Sequence, residues 1–138
     1  MFVDGSNQDF KNSSEITAGV FQGGLGPPDR DYYTKTDDKS KMIREQYLKH
    51  VVKMFELMGD EPAKAESAAK MIMALETKLA EASLTRVEQR NPEKLYHRMS
   101  VAQLSELAPN FDWPSFFSGI GLRQKVEASP VLLNWSWH

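Results

Sequence analysis

The strongest hydrophobic periodicity of the chain lies between Asp37 and Ser83. Ile43, Tyr47, Val51, Met54 and Met58 recur at spacings of three and four, and Leu48, Val52 and Phe55 widen the stripe. Such spacing predicts one face of a helix. Asp37 or Asp38 is its expected N-cap and Gly59 its expected C-cap. A second helix is predicted from Pro62 to about Ser83, capped by Asp60, with proline in its first turn. Ile72, Leu75, Leu79 and Ala82 form its stripe, and Ala65, Ala68 and Ala69 allow a neighbouring helix to approach closely. No breaker separates Ala82 from Gln89, which extends this helix toward Arg90 until Asn91-Pro92 interrupts it. So short a connection predicts an antiparallel helix hairpin. Glu45 with Lys49, and Glu66 with Lys70, add i,i+4 support.

The flanks carry shorter signals. Phe2-Val3 and Ile16 to Phe21 read as two strands of a small hairpin, with Asp4-Gly5-Ser6-Asn7 as a turn. Two strands alone are marginal in water and need a packing partner. Pro92 to His97 predicts a helical turn with Leu95 and Tyr96 inside. Ser100 and Gln103 match a capping box for a helix through Leu107, which Pro109 stops. Asp112 caps a further short helix carrying Phe116, Phe117 and Ile120, ended by Gly121. From Arg123 onward no period is clear, and Pro130 to His138 is apolar and Trp-rich. The expected fold is mainly α: an antiparallel helix hairpin plus shorter helices, with a small N-terminal β-hairpin.

Composition narrows the function classes. At 138 residues and 41% hydrophobic content, the chain is one domain or a piece of a larger one. A net charge of -2 makes no case for nucleic acid or an anionic membrane. With no cysteine, disulfides, thiolate nucleophiles and Cys-ligated metals are excluded. No apolar run approaches the ~20 residues of a membrane helix. Met1-Phe2-Val3-Asp4 lacks the basic opening of an export signal, so the signal of an exported parent is expected outside this sequence.

Candidate chemistry is sparse. Gly23-Gly24-Leu25-Gly26 could suggest a phosphate cradle, but Pro27 and Pro28 follow where a helix N-terminus and a Lys or Ser/Thr would be needed. The run reads as a connector, with Leu25 as an anchor. The histidines are His50, His97 and His138; none pair at i,i+4 and no His-Glu-x-x-His occurs, so no zinc site is assembled. Glu66, Glu76, Glu81, Glu88 and Glu93 read as a solvated face, except that Glu76, beside Leu75 and Leu79, is expected to be partly buried and paired with an arginine. Met42, Met54, Met58, Met71 and Met73 read as core filler. The competing reading takes them, with Lys39, Lys41, Arg44, Lys49 and Lys53, as a basic amphipathic surface. Asp29, Arg30 and Asp31 read as a local salt-bridged turn, with Tyr32 and Tyr33 packed beside the helix hairpin.

Several blocks, in order, carry a family resemblance: Asp9-Phe10-Lys11-Asn12-Ser13, then Gly23 through Tyr33, then Leu75-Glu76-Thr77-Lys78-Leu79-Ala80. Arg90-Asn91-Pro92, Tyr96-His97-Arg98-Met99 and Phe111-Asp112-Trp113 complete the set. Together they resemble the N-terminal helical region of the neprilysin and endothelin-converting-enzyme family of zinc metallopeptidases. Gly24, Leu25, Gly26, Pro28, Asp29, Arg30, Asp31, Tyr32 and Tyr33 match its most specific signature. Pro27 stands where leucine is usual, removing one apolar anchor and one amide donor. The resemblance covers roughly residues 2–122; residues 1–122 are expected as part of a peptidase N-terminal helical domain and 123–138 as a divergent C-terminal tail. It implies a periplasmic, extracellular or membrane-anchored parent that cleaves oligopeptides. Zinc and the catalytic glutamate would lie in a C-terminal domain, and the helical region would restrict entry to the cleft. No zinc motif has a counterpart here, so no catalytic or metal residue is assigned. The expected partners are that absent catalytic domain or a second copy of the chain. The alternative is a stand-alone helical interaction module that self-associates.

Overall fold

The computed structural model describes residues 2–121 and 131–134. Of the expected divergent tail, only Val131–Asn134 falls within them; His138 lies outside. The chain forms two compact units. Among the described residues, one combines 2–23 with 86–121 and 131–134, and the other is Gly24–Thr85.

The first unit is built on a sheet. Strands β1 (Phe2–Gln8) and β2 (Ile16–Gln22) pair antiparallel, with Gly5 opposite Gly19. Asp4 to Asn7 is therefore strand, not turn. The reversal falls at Asp9–Glu15, where Asp9 Oδ1 accepts from the backbone N–H groups of Lys11 and Asn12 at 2.8 and 3.2 Å. The sheet does not stop at the predicted hairpin. Strands β3 (His97–Met99) and β4 (Val131–Asn134) extend it to the order β1-β2-β4-β3, with β2 and β4 parallel and β3 and β4 antiparallel. A hairpin too small to stand alone thus gains two further strands.

Helices cover this sheet. A 3₁₀ turn at Glu88–Arg90 precedes α4 (Pro92–Leu95), which Asn91 caps by accepting from Glu93 N–H at 3.0 Å. Leu95 and Tyr96 are half-buried. Helix α5 (Val101–Leu107) carries the predicted capping box: Ser100 Oγ accepts from Gln103 N–H, and Gln103 Oε1 accepts from Ser100 N–H. Helix α6 (Trp113–Gly119) is capped by Asp112, which accepts from Ser115 N–H at 3.1 Å. The core joins Val20 and Val131 of the sheet to Leu104, Trp113 and Phe117 of the helices. Phe116 packs against it, whereas Ile120, at the end of the same helix, stays exposed.

The second unit contains α1 (Asp31–Thr34), α2 (Asp38–Leu57) and α3 (Pro62–Glu81). Asp37 caps α2, accepting from Ser40 N–H at 2.9 Å and Ser40 Oγ at 2.7 Å. Gly59, at φ 99°, ends it in the left-handed conformation that glycine tolerates. The amides of Gly59 and Asp60 then bond the carbonyls of Glu56 and Phe55. Asp60 is taken up by this closure, so Glu61 rather than Asp60 precedes α3 as its N-cap, and Asp60 Oδ1 accepts from Lys64 Nζ instead. Helix α3 stops at Glu81 rather than running toward Arg90. Leu84 is buried beyond it, and Ser83 Oγ donates back to the carbonyl of Leu79.

The buried line of α3 also differs from the predicted stripe. Ala65, Ala69, Glu76 and Ala80 are buried, whereas Leu75 and Ala82 are exposed. The alanines let the helix backbone approach α1 and α2, so small residues rather than leucines mark the contact. On α2, Ile43, Tyr47, Leu48, Val51, Val52 and Phe55 are half-buried, but Met42, Met54 and Met58 are exposed, as is Met71 on α3. Of the methionines read as core filler, only Met73 is half-buried.

Candidate functional site

The Gly24–Tyr33 signature is folded around a buried carboxylate. Gly24 adopts φ 91°, open to glycine at little cost. Leu25 is half-buried, and Pro27 is buried while Pro28 is exposed. The ring of Pro27 therefore supplies the apolar anchor that its replacement of leucine was expected to remove. At Gly26 the chain passes so close to Tyr47 that a Cβ would overlap the phenol. Gly26 N–H donates to Tyr33 Oη at 3.1 Å.

Asp29 starts α1 by accepting from Asp31 N–H at 2.8 Å. Asp31 pairs with Lys35 at 2.7 Å, one turn along the helix. The hydrogen bond from Lys35 to Asp31, with the charge of Asp31, raises the lysine's pKa. Arg44 of α2 closes the other end of α1: its Nη1 donates to the carbonyls of Tyr32 at 2.7 Å and Lys35 at 2.8 Å. A helix this short leaves its terminal carbonyls unsatisfied, and a guanidinium meets them.

Tyr33 points inward and is 5% exposed. Its hydroxyl donates to Glu76 Oε2 at 2.6 Å, and Tyr47 Oη donates to Glu76 Oε1 at 3.0 Å. Glu76 is buried as expected, but two phenols satisfy it in place of the expected arginine. Burial and the bond to Glu76 push the Tyr33 phenol well above the usual tyrosine range, and the same causes push Tyr47 up to about 12. Neutral phenols donating to a carboxylate make a rigid clamp; no nucleophile or proton shuttle near neutral pH results.

A second polar node sits in the sheet unit. Asp9 is 2% exposed and accepts from Tyr96 Oη at 3.1 Å. Arg98 bridges Asp9 at 3.3 Å and Glu15 at 2.8 Å, and Lys11 Nζ lies 4.4 Å from the centroid of the Tyr96 ring. Burial would raise the Asp9 pKa; the N–H of Lys11, the Tyr96 hydroxyl, the N–H of Asn12 and Arg98 together hold it below the ordinary carboxylate value.

His50 is exposed on α2, and His97 Nε2 lies 2.9 Å from the carbonyl of Lys94. Among the described residues no group of three or more His, Cys, Asp or Glu side chains has metal-binding geometry. No described helix is long and apolar enough to cross a membrane. The sequence did not point to Tyr47 or Arg44 as partners of the signature: Tyr47 reads as part of an apolar helix stripe and Arg44 as part of a basic surface.

The wider comparison agrees with the fold. Residues 1–135 match the model of peptidase family M13. Neprilysin-3 of Drosophila melanogaster is 34% identical over 110 residues, spanning 80% of this chain and 14% of the relative. Human endothelin-converting enzyme 1 is 33% identical over 128 residues, spanning 91% of this chain and 16% of the relative. The cryo-EM structure of the Mycobacterium tuberculosis zinc metalloprotease Zmp1 in its open state superposes with a TM-score of 0.87 at 29% identity. It covers 97% of this chain and 20% of its own. The chain thus spans about a fifth or less of these proteins. On a match that runs nearly its full length, it belongs to peptidase family M13, among relatives that include neprilysins and endothelin-converting enzymes.

Proposed function

We propose that this chain is the substrate-gating helical region of a neprilysin-like zinc metalloendopeptidase whose full-length form cleaves oligopeptides. The observation that supports it most directly is the family match over residues 1–135, in a chain that spans only 20% of the superposed zinc metalloprotease. Among the described residues, no group of three or more His, Cys, Asp or Glu side chains gathers as a zinc site would need. Zinc and the water-activating glutamate are therefore assigned to the remainder of the parent. The clamp on Glu76 suits a gating role: it fixes a loop and three helices as one rigid piece, which is what a size filter needs. The parent's place is taken to be the periplasm, the cell exterior or a membrane anchor, as for the family.

Hydrolysis of fluorogenic oligopeptides tests this reading. The chain alone is expected to show no chelator-sensitive turnover. A chimera of the mycobacterial enzyme, with this chain in place of its matching region, is expected to cleave peptides with an altered preference between short and long substrates. Chelator-sensitive turnover by the chain alone would overturn the assignment of zinc to the remainder. An unchanged length preference in an active chimera would overturn the gating role. The alternative of a self-associating module predicts a concentration-dependent dimer by sedimentation.

A further inference from the structure

Two of the chain's five asparagines begin an Asn-x-Ser triplet: Asn12-Ser13-Ser14 and Asn134-Trp135-Ser136. That triplet is the acceptor pattern for transfer of an oligosaccharide to the asparagine amide. The two sit differently in the fold. Asn134 ends β4, an inner strand of the sheet, in register with Phe21, and Trp135 and Ser136 lie outside the described residues. Asn12 lies in the turn between β1 and β2, where residues 10–14 are all exposed. The backbone of this turn is held by Asp9 on one side, and by Glu15 N–H donating to the Asn12 carbonyl at 3.0 Å on the other. The Asn12 amide is already engaged by its own triplet. Ser14 Oγ donates to Asn12 Oδ1 at 2.7 Å, and Ser14 N–H donates to the same oxygen at 3.3 Å. Asn12 Nδ2 donates to Glu15 Oε1 at 3.0 Å. That nitrogen carries two hydrogens, so a sugar can replace one while the other keeps its bond to Glu15.

We propose that Asn12 is an N-glycan acceptor, and that the hairpin turn carries the glycan without rearranging. The inference rests on the reading above that the parent is exported, because the sugar donor, a polyprenyl-diphosphate-linked oligosaccharide, is met on that route. In the transfer, Asn12 Nδ2 bonds to the anomeric carbon of the first sugar. The bond from that carbon to the diphosphate oxygen breaks, polyprenyl diphosphate leaves with the electron pair, and Nδ2 loses one proton. Nothing is oxidised or reduced. Both bonds to Oδ1 and the bond to Glu15 survive the change, since none of them uses the departing hydrogen.

The test expresses the full chain behind a cleavable secretion leader in a eukaryotic cell and reads both cells and medium. A mobility shift that peptide N-glycosidase removes is expected, and release in isotopically heavy water should mark position 12 in the peptide map. Asn12→Gln and Ser14→Ala are each expected to abolish modification at 12, the second by deleting only a hydroxyl. An Asn12 left unmodified in both fractions overturns the proposal, even where Asn134 is modified. Modification of Asn12 that survives Ser14→Ala overturns it too. The secreted glycosylated chain and its enzymatically trimmed form are expected to share one urea midpoint. A lower midpoint with the glycan, or a glycan confined to chain retained in the cell, overturns the claim that the turn accommodates it. The chimera, expressed the same way, presents the turn within a whole peptidase. Secretion that the glycan blocks and Asn12→Gln restores would show the turn facing protein, and would overturn the proposal. The leader supplies export in these experiments, so an unmodified Asn12 counts against the site alone. A parent that fractionates with the cytosol of its own cells counts instead against the export reading, and with it against a glycan on the native protein.

Discussion

Removing the Tyr33 hydroxyl is the sharpest test of what holds the signature in place. That oxygen donates to Glu76 at 2.6 Å and accepts from Gly26 N–H at 3.1 Å. A hydrogen bond to a charged group contributes about 1.5–3 kcal/mol net, and one to a neutral group about 0.5–1.5 kcal/mol. Tyr33 is 5% exposed, so water cannot readily replace the hydroxyl. Tyr33→Phe is therefore expected to cost about 2–4 kcal/mol, a large share of the ~5–15 kcal/mol typical of a domain. Tyr47→Phe removes one bond at a half-buried site and should cost about 1 kcal/mol. Combining Tyr33→Phe with Glu76→Gln should be less damaging than the sum, with a coupling of about 1–2 kcal/mol, because both changes break the same contact. Urea unfolding followed by circular dichroism gives the midpoints, and an unchanged slope shows that the unfolded state is not the cause. Amide exchange at Gly26 should rise in Tyr33→Phe, since its acceptor is gone. A Tyr33→Phe stability within about 0.5 kcal/mol of the parent chain, or strict additivity in the cycle, would refute the clamp.

Three further outcomes are expected. Because the folded pKa of Tyr33 and that of Tyr47, about 12, lie above the unfolded value near 10, their contribution is intact below pH ~10 and lost as pH rises through the folded values. An ultraviolet titration should show phenols that ionise only with unfolding, one fewer in Tyr47→Phe; ionisation of all four tyrosines together near pH ~10 would count against it. Gly26→Ala drives a Cβ into the Tyr47 phenol and should cost about 1–3 kcal/mol in urea unfolding, with Tyr47 no longer bonded to Glu76. Asp9 has a depressed folded pKa, so its contribution is present above the unfolded value near ~3.9 and fades as pH falls through the folded one. Asp9→Asn should flatten the acid limb of the stability–pH curve, and an unchanged limb would show that Asp9 does not shape it.

Local signals in the sequence were readable where chemistry and spacing coincide. Asp37, Ser100 with Gln103, and Asp112 are caps because a short polar side chain reaches an amide two or three residues on, and that geometry needs no tertiary partner. The strands β3 and β4 were not readable. Each is short, and each pairs with a segment far along the chain, as in His97 opposite Leu133 and Ala18 opposite Val131. Register of that kind comes from packing, not from propensity. The face of α3 was misplaced because its stripe of large residues outweighs the alanines in any hydrophobic pattern, although close approach favours the alanines. Glu76 was visible as buried, but its partners were not: a tyrosine hydroxyl within an apolar stripe looks like core until its donor is needed.

The residues that carry the family resemblance meet one another in space, so the family is evident in how the chain is held together. Asp9 and Tyr96 come from two signature blocks 87 positions apart and share one hydrogen bond. Tyr33 and Glu76 come from two others, 43 positions apart, and share another. In each case a buried carboxylate must be satisfied, and the partner that satisfies it must arrive in the right register from a distant segment. Replacing one member leaves the other buried and short of a partner, so the pair behaves as a unit. Neither pair offers its carboxylate free, since each already accepts its partner's phenol hydroxyl. Each instead fixes a piece of architecture: Asp9 the hairpin turn against β3, and Glu76 the glycine loop against the helix hairpin. A signature of this kind reports how each unit of the chain is held together.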